Sequence, residues 1–243
     1  MTRALTRATG FLLVTVLGVS LSGSGVATSE VVSSDLTITG HVAVPSTSMS
    51  SWPQFAWTSS SLDGTTRSLM TGRSWRHGCP GGLGALRVVS LSYWGFDHKT
   101  HRGQLVVNAD SVNAVVQALR SIYLARFPIR QMRLVDYYAG DDERSMANDN
   151  TSAFNCRIVP GTTVWSQHAY GRAVDINPLE NPEVLGSKVD PPSARRWAER
   201  RLHDDGLIHH GDVVWRAFTS VGWKWGGDWT SLKDYQHFSA NGY

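Results

Sequence analysis

The stretch Ser166-Gln167-His168-Ala169-Tyr170-Gly171-Arg172-Ala173-Val174-Asp175-Ile176-Asn177 joins a turn to a strand. Read as a strand, Ala173 to Asn177 sends Val174 and Ile176 toward a core and Asp175 to the other face with Ala173 and Asn177. Gly171 lets the chain turn, so His168 returns beside Asp175. Imidazole and carboxylate both suit zinc, so His168 and Asp175 are two candidate ligands. A third comes from Lys233-Asp234-Tyr235-Gln236-His237-Phe238, where His237 follows Asp234 by three positions. On a helical turn or a tight turn that spacing puts both on one side. Three protein ligands leave one tetrahedral position for water, and a carboxylate beside it can take a proton, the role expected of Asp234. Each pair alone is a common pattern, and a hydrogen-bonded structural His is the competing reading.

Outward from this stretch, the predicted elements mix strands and helices without a βαβ rhythm. Leu86 to Tyr93 and Gln104 to Val107 read as strands joined through Asp97 to Arg102. Asp110 is expected to cap a helix with apolar positions Val112, Val115, Val116, Leu119, Ile122 and Tyr123, ending at Phe127-Pro128. Met132 to Tyr138 reads as a strand, with a polar loop through Asp141, Asp142 and Asn148 to Asn150 behind it. Pro192 opens a helix expected to end near Gly206, and Val213 to Val221 forms another that ends at Gly222. The pattern favours an α+β fold with a small antiparallel sheet flanked by helices. His209 and His210, adjacent in sequence, diverge on any regular backbone and are expected to be solvated.

The chain has 243 residues, of which 41% are hydrophobic and 18% charged, enough for one compact core. Arg3 and Arg7, an apolar run from Phe11 to Leu21, and small residues ending Gly25-Val26-Ala27 follow the order of a secretory signal peptide, expected to cover residues 1–27. The run is broken by Gly18 and Ser20 and is too short to span a bilayer, so no stable membrane anchor is expected after cleavage. The formal charge of +3 loses two of its basic residues with that segment. No basic block remains, which excludes a nucleic-acid partner. Residues 28–72, rich in Ser and Thr, read as a linker or loosely packed arm, and residues 73–243 as the globular domain. The two cysteines, Cys79 and Cys156, suit a disulfide in an exported protein, with two buried free thiols as the alternative.

Taken together, S-x-H-x-x-G-x-A-x-D at Ser166 to Asp175 and D-x-x-H at Asp234 to His237 resemble the D-alanyl-D-alanine carboxypeptidase and L-alanyl-D-glutamate endopeptidase family of zinc peptidases, which includes the vancomycin-resistance dipeptidases. Asn150 to Arg157, Asn177 to Pro182 and Gly222 to Gly227 fit the same pattern, so the resemblance runs from about Trp75 to Ser239. It implies a hedgehog/DD-peptidase-like fold with the metal site on the sheet, one zinc ion held by His168, Asp175 and His237, and Asp234 as catalytic base. Many members carry Glu at the base position, one methylene longer than the Asp found here. The resemblance also implies that Arg157 polarises the scissile carbonyl or holds a substrate carboxylate, a surface ion pair being the alternative. Ser166, Trp223 and Trp225 are the candidate substrate-binding residues. Ser166 could equally serve the ligand loop, and core packing would account for at least one Trp of the segment Trp223 to Trp229. The expectation is a monomeric, secreted or wall-associated zinc peptidase acting on peptidoglycan peptides. Its rival is a non-catalytic wall-binding module with a structural metal, which the three-ligand set disfavours because structural zinc is normally closed by four protein ligands.

Overall fold

The computed structural model describes residues 54–243. The expected signal peptide and residues 28–53 of the expected arm lie outside the described residues. The described chain opens with β1 (Trp57–Ser61) and α1 (Gly64–Met70), then β2 (Leu86–Trp94), β3 (Thr100–Asn108) and α2 (Val112–Leu124). It continues through β4 (Gln131–Met132), α3 (Asp142–Ala147), β5 (Asn150–Thr151), β6 (Ala173–Asp175), β7 (Glu183–Leu185) and β8 (Lys188–Asp190). It ends with α4 (Val213–Thr219), β9 (Lys224–Trp225), β10 (Leu232–Asp234) and β11 (His237–Ser239). These make an α+β fold of small, mostly antiparallel sheets, with β1-β2-β3, β10-β7-β8 and β6-β11-β9 as the three-stranded ones. Among the described residues no helix is long and apolar enough to cross a membrane.

The core explains the order. α2 presents the predicted stripe, with Val115, Val116, Leu119 and Ile122 buried against Val89, Leu91, Leu105 and Val107 of the β2–β3 hairpin. The same cluster runs on through Val214, Ala217 and Phe218 of α4 to Val174 and Phe238. One apolar mass therefore backs both the large hairpin and the small sheet β6-β11-β9. Phe218 and Phe238 stack with centroids 4.4 Å apart, which joins the two.

Several expectations change. The stretch 57–70 is not a loose arm: β1 pairs along its whole length with β2, and Leu62 and Met70 are buried beside Leu86, Val106 and Phe154. All five β1 residues are exposed, so pairing rests on backbone hydrogen bonds and leaves no alternation to read. Asn108, not Asp110, supplies the cap before α2, its side chain accepting from the Asp110 amide, while Asp110 pairs with Arg172 at 2.6 Å. Of the strand expected at 132–138 only Met132 is in a ladder, the rest turning into a short 3-10 segment at Val135–Tyr138. The expected loop after Asp141 holds α3, capped by Asp141. Pro192 opens only a 3-10 segment, Pro192–Ala198, with irregular chain beyond it.

Cys79 and Cys156 are joined by a disulfide that spans 77 positions. Closing a loop of that length restricts the unfolded chain by about 4–5 kcal/mol in the chain-entropy description. Urea unfolding of C79S/C156S is expected to show a loss of stability up to that size, with no change in the far-ultraviolet dichroism of the folded protein.

Candidate metal centre

Three short segments bring the ligands together. His168 lies in the 3-10 turn Gln167–Tyr170, whose N-terminus is capped by the Ser166 hydroxyl accepting from the His168 amide at 3.3 Å. Gly171 ends that turn at φ 69°, and a Cβ there would lie 2.6 Å from the Asn108 amide nitrogen, so both the turn and the packing require glycine. Asp175 closes β6 and is directly opposite His237 of β11 in the antiparallel register. Asp234 ends β10, and only Tyr235 and Gln236 separate it from β11.

His168 Nε2 lies 3.0 Å from Asp175 Oδ2, His237 Nδ1 lies 3.0 Å from Asp175 Oδ1, and the two ring nitrogens are 3.1 Å apart. All three residues are buried, and among the described residues they are the one group of three or more His, Cys, Asp or Glu placed to hold a metal ion. The donor chemistry fits a cation. His168 Nδ1 faces the Ala153 carbonyl, which can only accept, so Nδ1 carries a proton and Nε2 is the ring atom directed at the carboxylate. His168 Nε2, His237 Nδ1 and the Asp175 carboxylate thus converge in a buried space. A divalent ion would be held by all three at once, and two nitrogens with one carboxylate is a zinc-type donor set.

The two acids separate electrostatically. Burial would raise Asp175, but His168 and His237 outweigh it and hold its carboxyl far below the usual range. Burial instead drives Asp234 up to about 8, with Asp175 and Glu183 adding to the rise and His237 and Arg157 opposing it. The Asp234 Oδ1 atom is buried and has no hydrogen-bond partner among the described residues. Gly226 makes room for this strand end, since a Cβ there would lie 2.6 Å from the Asp234 carbonyl oxygen. Arg157 pairs with Asp142 at 2.9 Å. Burial works against its charge, but Asp142, Asp175, Asp234 and Glu183 together raise it above the ordinary arginine value. It is thus a fixed cation within the field of the site.

The other expected residues fall differently. Trp223 and Trp225, each 4% exposed, belong to the core and not to a cleft wall. Trp225 is fixed there by its Nε1 donating to the Tyr235 carbonyl at 2.8 Å. Trp229 is the half-buried member of that segment, its ring centroid 5.5 Å from that of His237. Ser166 is buried, and its hydroxyl accepts from the His168 amide and so serves the ligand loop. His210 is exposed and pairs with Asp228 at 2.8 Å. Two contributors were not readable in advance. The Ala153 carbonyl is a backbone group with no residue signature, and Glu183 reaches the site by cross-strand pairing with Asp234.

Because Asp234 binds a proton more tightly folded than unfolded, its ionisation costs stability as pH rises from about 4, the ordinary carboxyl value, through about 8. In metal-free protein D234N is therefore expected to be more stable than wild type at pH 8, with the difference vanishing toward pH 4. Equal melting temperatures for the two proteins at pH 8 would contradict the burial argument.

No match was found among solved structures. Residues 160–240 match the family model described as D-alanyl-D-alanine carboxypeptidase. That segment holds His168, Asp175, Asp234 and His237, so the resemblance read from the sequence is borne out over the part of the chain that carries these residues, which is similar to the D-alanyl-D-alanine carboxypeptidase family.

Proposed function

We propose that this protein is an exported zinc peptidase that hydrolyses the stem peptides of peptidoglycan. The observation that carries the reading is the convergence of His168, Asp175 and His237 beside Asp234, a half-buried residue whose Oδ1 atom is buried and unpartnered among the described residues. A zinc ion at this site supplies Lewis acidity and favours deprotonation of water near neutral pH. Asp234 accepts the proton of the attacking water on its free oxygen and returns it to the leaving amine. A carboxyl held near neutrality by burial is suited to both transfers, and the charge of a metal would lower it into the ionised form needed first. Arg157 offers a guanidinium to the oxyanion that develops on the scissile carbonyl or to a substrate carboxylate. The Asp142 pair keeps that guanidinium pointed and charged.

Export is supported by the order of residues 1–27 and by the Cys79–Cys156 disulfide, a bond that persists in oxidising compartments. Peptidoglycan as substrate is supported by the family match. Two bonds are candidates, the terminal D-Ala–D-Ala bond and the L-Ala–D-Glu bond. Mass spectrometry of digested purified peptidoglycan separates them: free D-alanine marks the carboxypeptidase, and a fragment with a new D-Glu amino terminus marks the endopeptidase.

D234A is expected to keep its zinc and to lose activity by about 10³-fold, the range of a general base. H237A is expected to lose both zinc and activity. Hydrolysis at the wild-type rate by D234A, or full zinc content in H237A by atomic absorption, would sink the assignment of these residues.

A further inference from the structure

The ligands sit on two stretches that are far apart in sequence, and one side chain touches the supports of both. Arg200 Nη2 donates to Asn181 Oδ1 at 3.1 Å and to the Ile208 carbonyl at 2.6 Å, and Nη1 donates to the carbonyls of Glu180 at 2.8 Å and Trp197 at 3.0 Å. Asn181 is fully buried and in turn donates to the carbonyls of Ile176 and Asn177, the two residues that follow Asp175. On the other side, the Arg200 guanidinium lies over the Tyr235 ring, 4.3 Å from its centroid. Tyr235 is the first of the two residues between Asp234 and His237. Its amide donates to the Pro182 carbonyl at 3.3 Å and its carbonyl accepts from Trp225 Nε1. The turn that spaces Asp234 from His237 is therefore held by its backbone on two sides and by its ring on a third.

We propose that Arg200 is a positioning residue that fixes the turn carrying Asp234 and His237 against the strand carrying Asp175. The proposal rests on the function assigned above to those three residues. A planar guanidinium is required, because only a fork with several donors can satisfy four carbonyl-type acceptors and still present a flat face to an aromatic ring. Lysine keeps the charge but not that geometry. Among the described residues no carboxylate pairs with Arg200, so its interactions are those of a bracket and not of a salt bridge.

The test uses the full-length, zinc-loaded protein and a soluble stem pentapeptide, reading kcat, KM, zinc per chain and melting temperature. R200K and Y235L are each expected to lower kcat per zinc-loaded chain by about 10- to 100-fold with KM little changed, as a displaced catalytic group does. Y235F keeps the ring and is expected to keep kcat. The double variant R200K/Y235L is expected to lose less than the product of the two single losses, since both remove the Arg200–Tyr235 contact. A lower melting temperature with unchanged kcat per zinc-loaded chain, a rise in KM alone, or additive losses in the double variant would overturn the proposal. If R200K does not fold, Y235L against Y235F decides. D234N separates the two levels: an active D234N removes the functional reading itself, whereas an inactive D234N beside a fully active R200K removes only the role of Arg200.

Discussion

The antiparallel pairing of β6 with β11 is the constraint on which the site depends, because it sets Asp175 opposite His237. A slip of one residue would turn His237 to the opposite face and dissolve the ligand set. The register is fixed from behind. Val174 and Phe238 are paired across the same two strands and fully buried, and Phe238 stacks on Phe218 of α4. Burying those side chains on the core face forces their neighbours, Asp175 and His237, to the other. Apolar packing thus specifies a polar site that it never touches, and Trp223 and Trp225, buried in the same core, serve the site through the register they help to hold.

The polar side of this sheet is electrostatically unfavourable by construction. Asp175 remains ionised because two imidazoles face it, while Asp234, Glu183 and Asp175 together crowd negative charge into a space that excludes much of the water. Burial and Asp190 push Glu183 up as well, so the pressure toward holding a proton is shared along the row of paired strands. Arg157 is the cation that faces all three acids, and a divalent ion is the group that would relieve the rest. Two carboxylates close together with opposite shifts are what a site needs when one must bind a metal and the other must exchange a proton.

How much of this could be read from residues follows from how local each feature is. The spacing from His168 to Asp175 spans one turn and one short strand, and the spacing from Asp234 to His237 spans two intervening residues, so both were legible. The helix at 112–124 was legible because its stripe faces one core. β1 was not, since its WTSSS sequence has no buried face and pairs only through its backbone. The Trp segment misled for a related reason: size and nearby glycines suit a cleft wall and a core equally, and only the burial of Trp223 and Trp225 decides. Arg200 carries no motif, and Asn181, although inside the Asn177 to Pro182 stretch, gave no sign of its role, because their partners are mostly backbone carbonyls, several from distant segments.

That last group shows how the region between β6 and α4 is held. Apart from β7, β8 and a 3-10 segment it has little regular structure, so its backbone groups cannot satisfy one another through a ladder. Asn181 accepts from the Ile208 amide at 2.7 Å and donates to the Gly206 carbonyl at 2.8 Å, while Arg200 closes on four further oxygens. Side-chain donors here do the work that main-chain pairing does in a sheet. Such a scaffold is specific, since its donors and acceptors meet only when all the segments are in place, the Asn181 Oδ1 atom accepting from both Arg200 and the Ile208 amide. It is also brittle, because removing a single side chain leaves several carbonyls unsatisfied at once. Packing through Phe238 determines which face the ligands take, and these polar brackets determine how closely the segments bearing them approach.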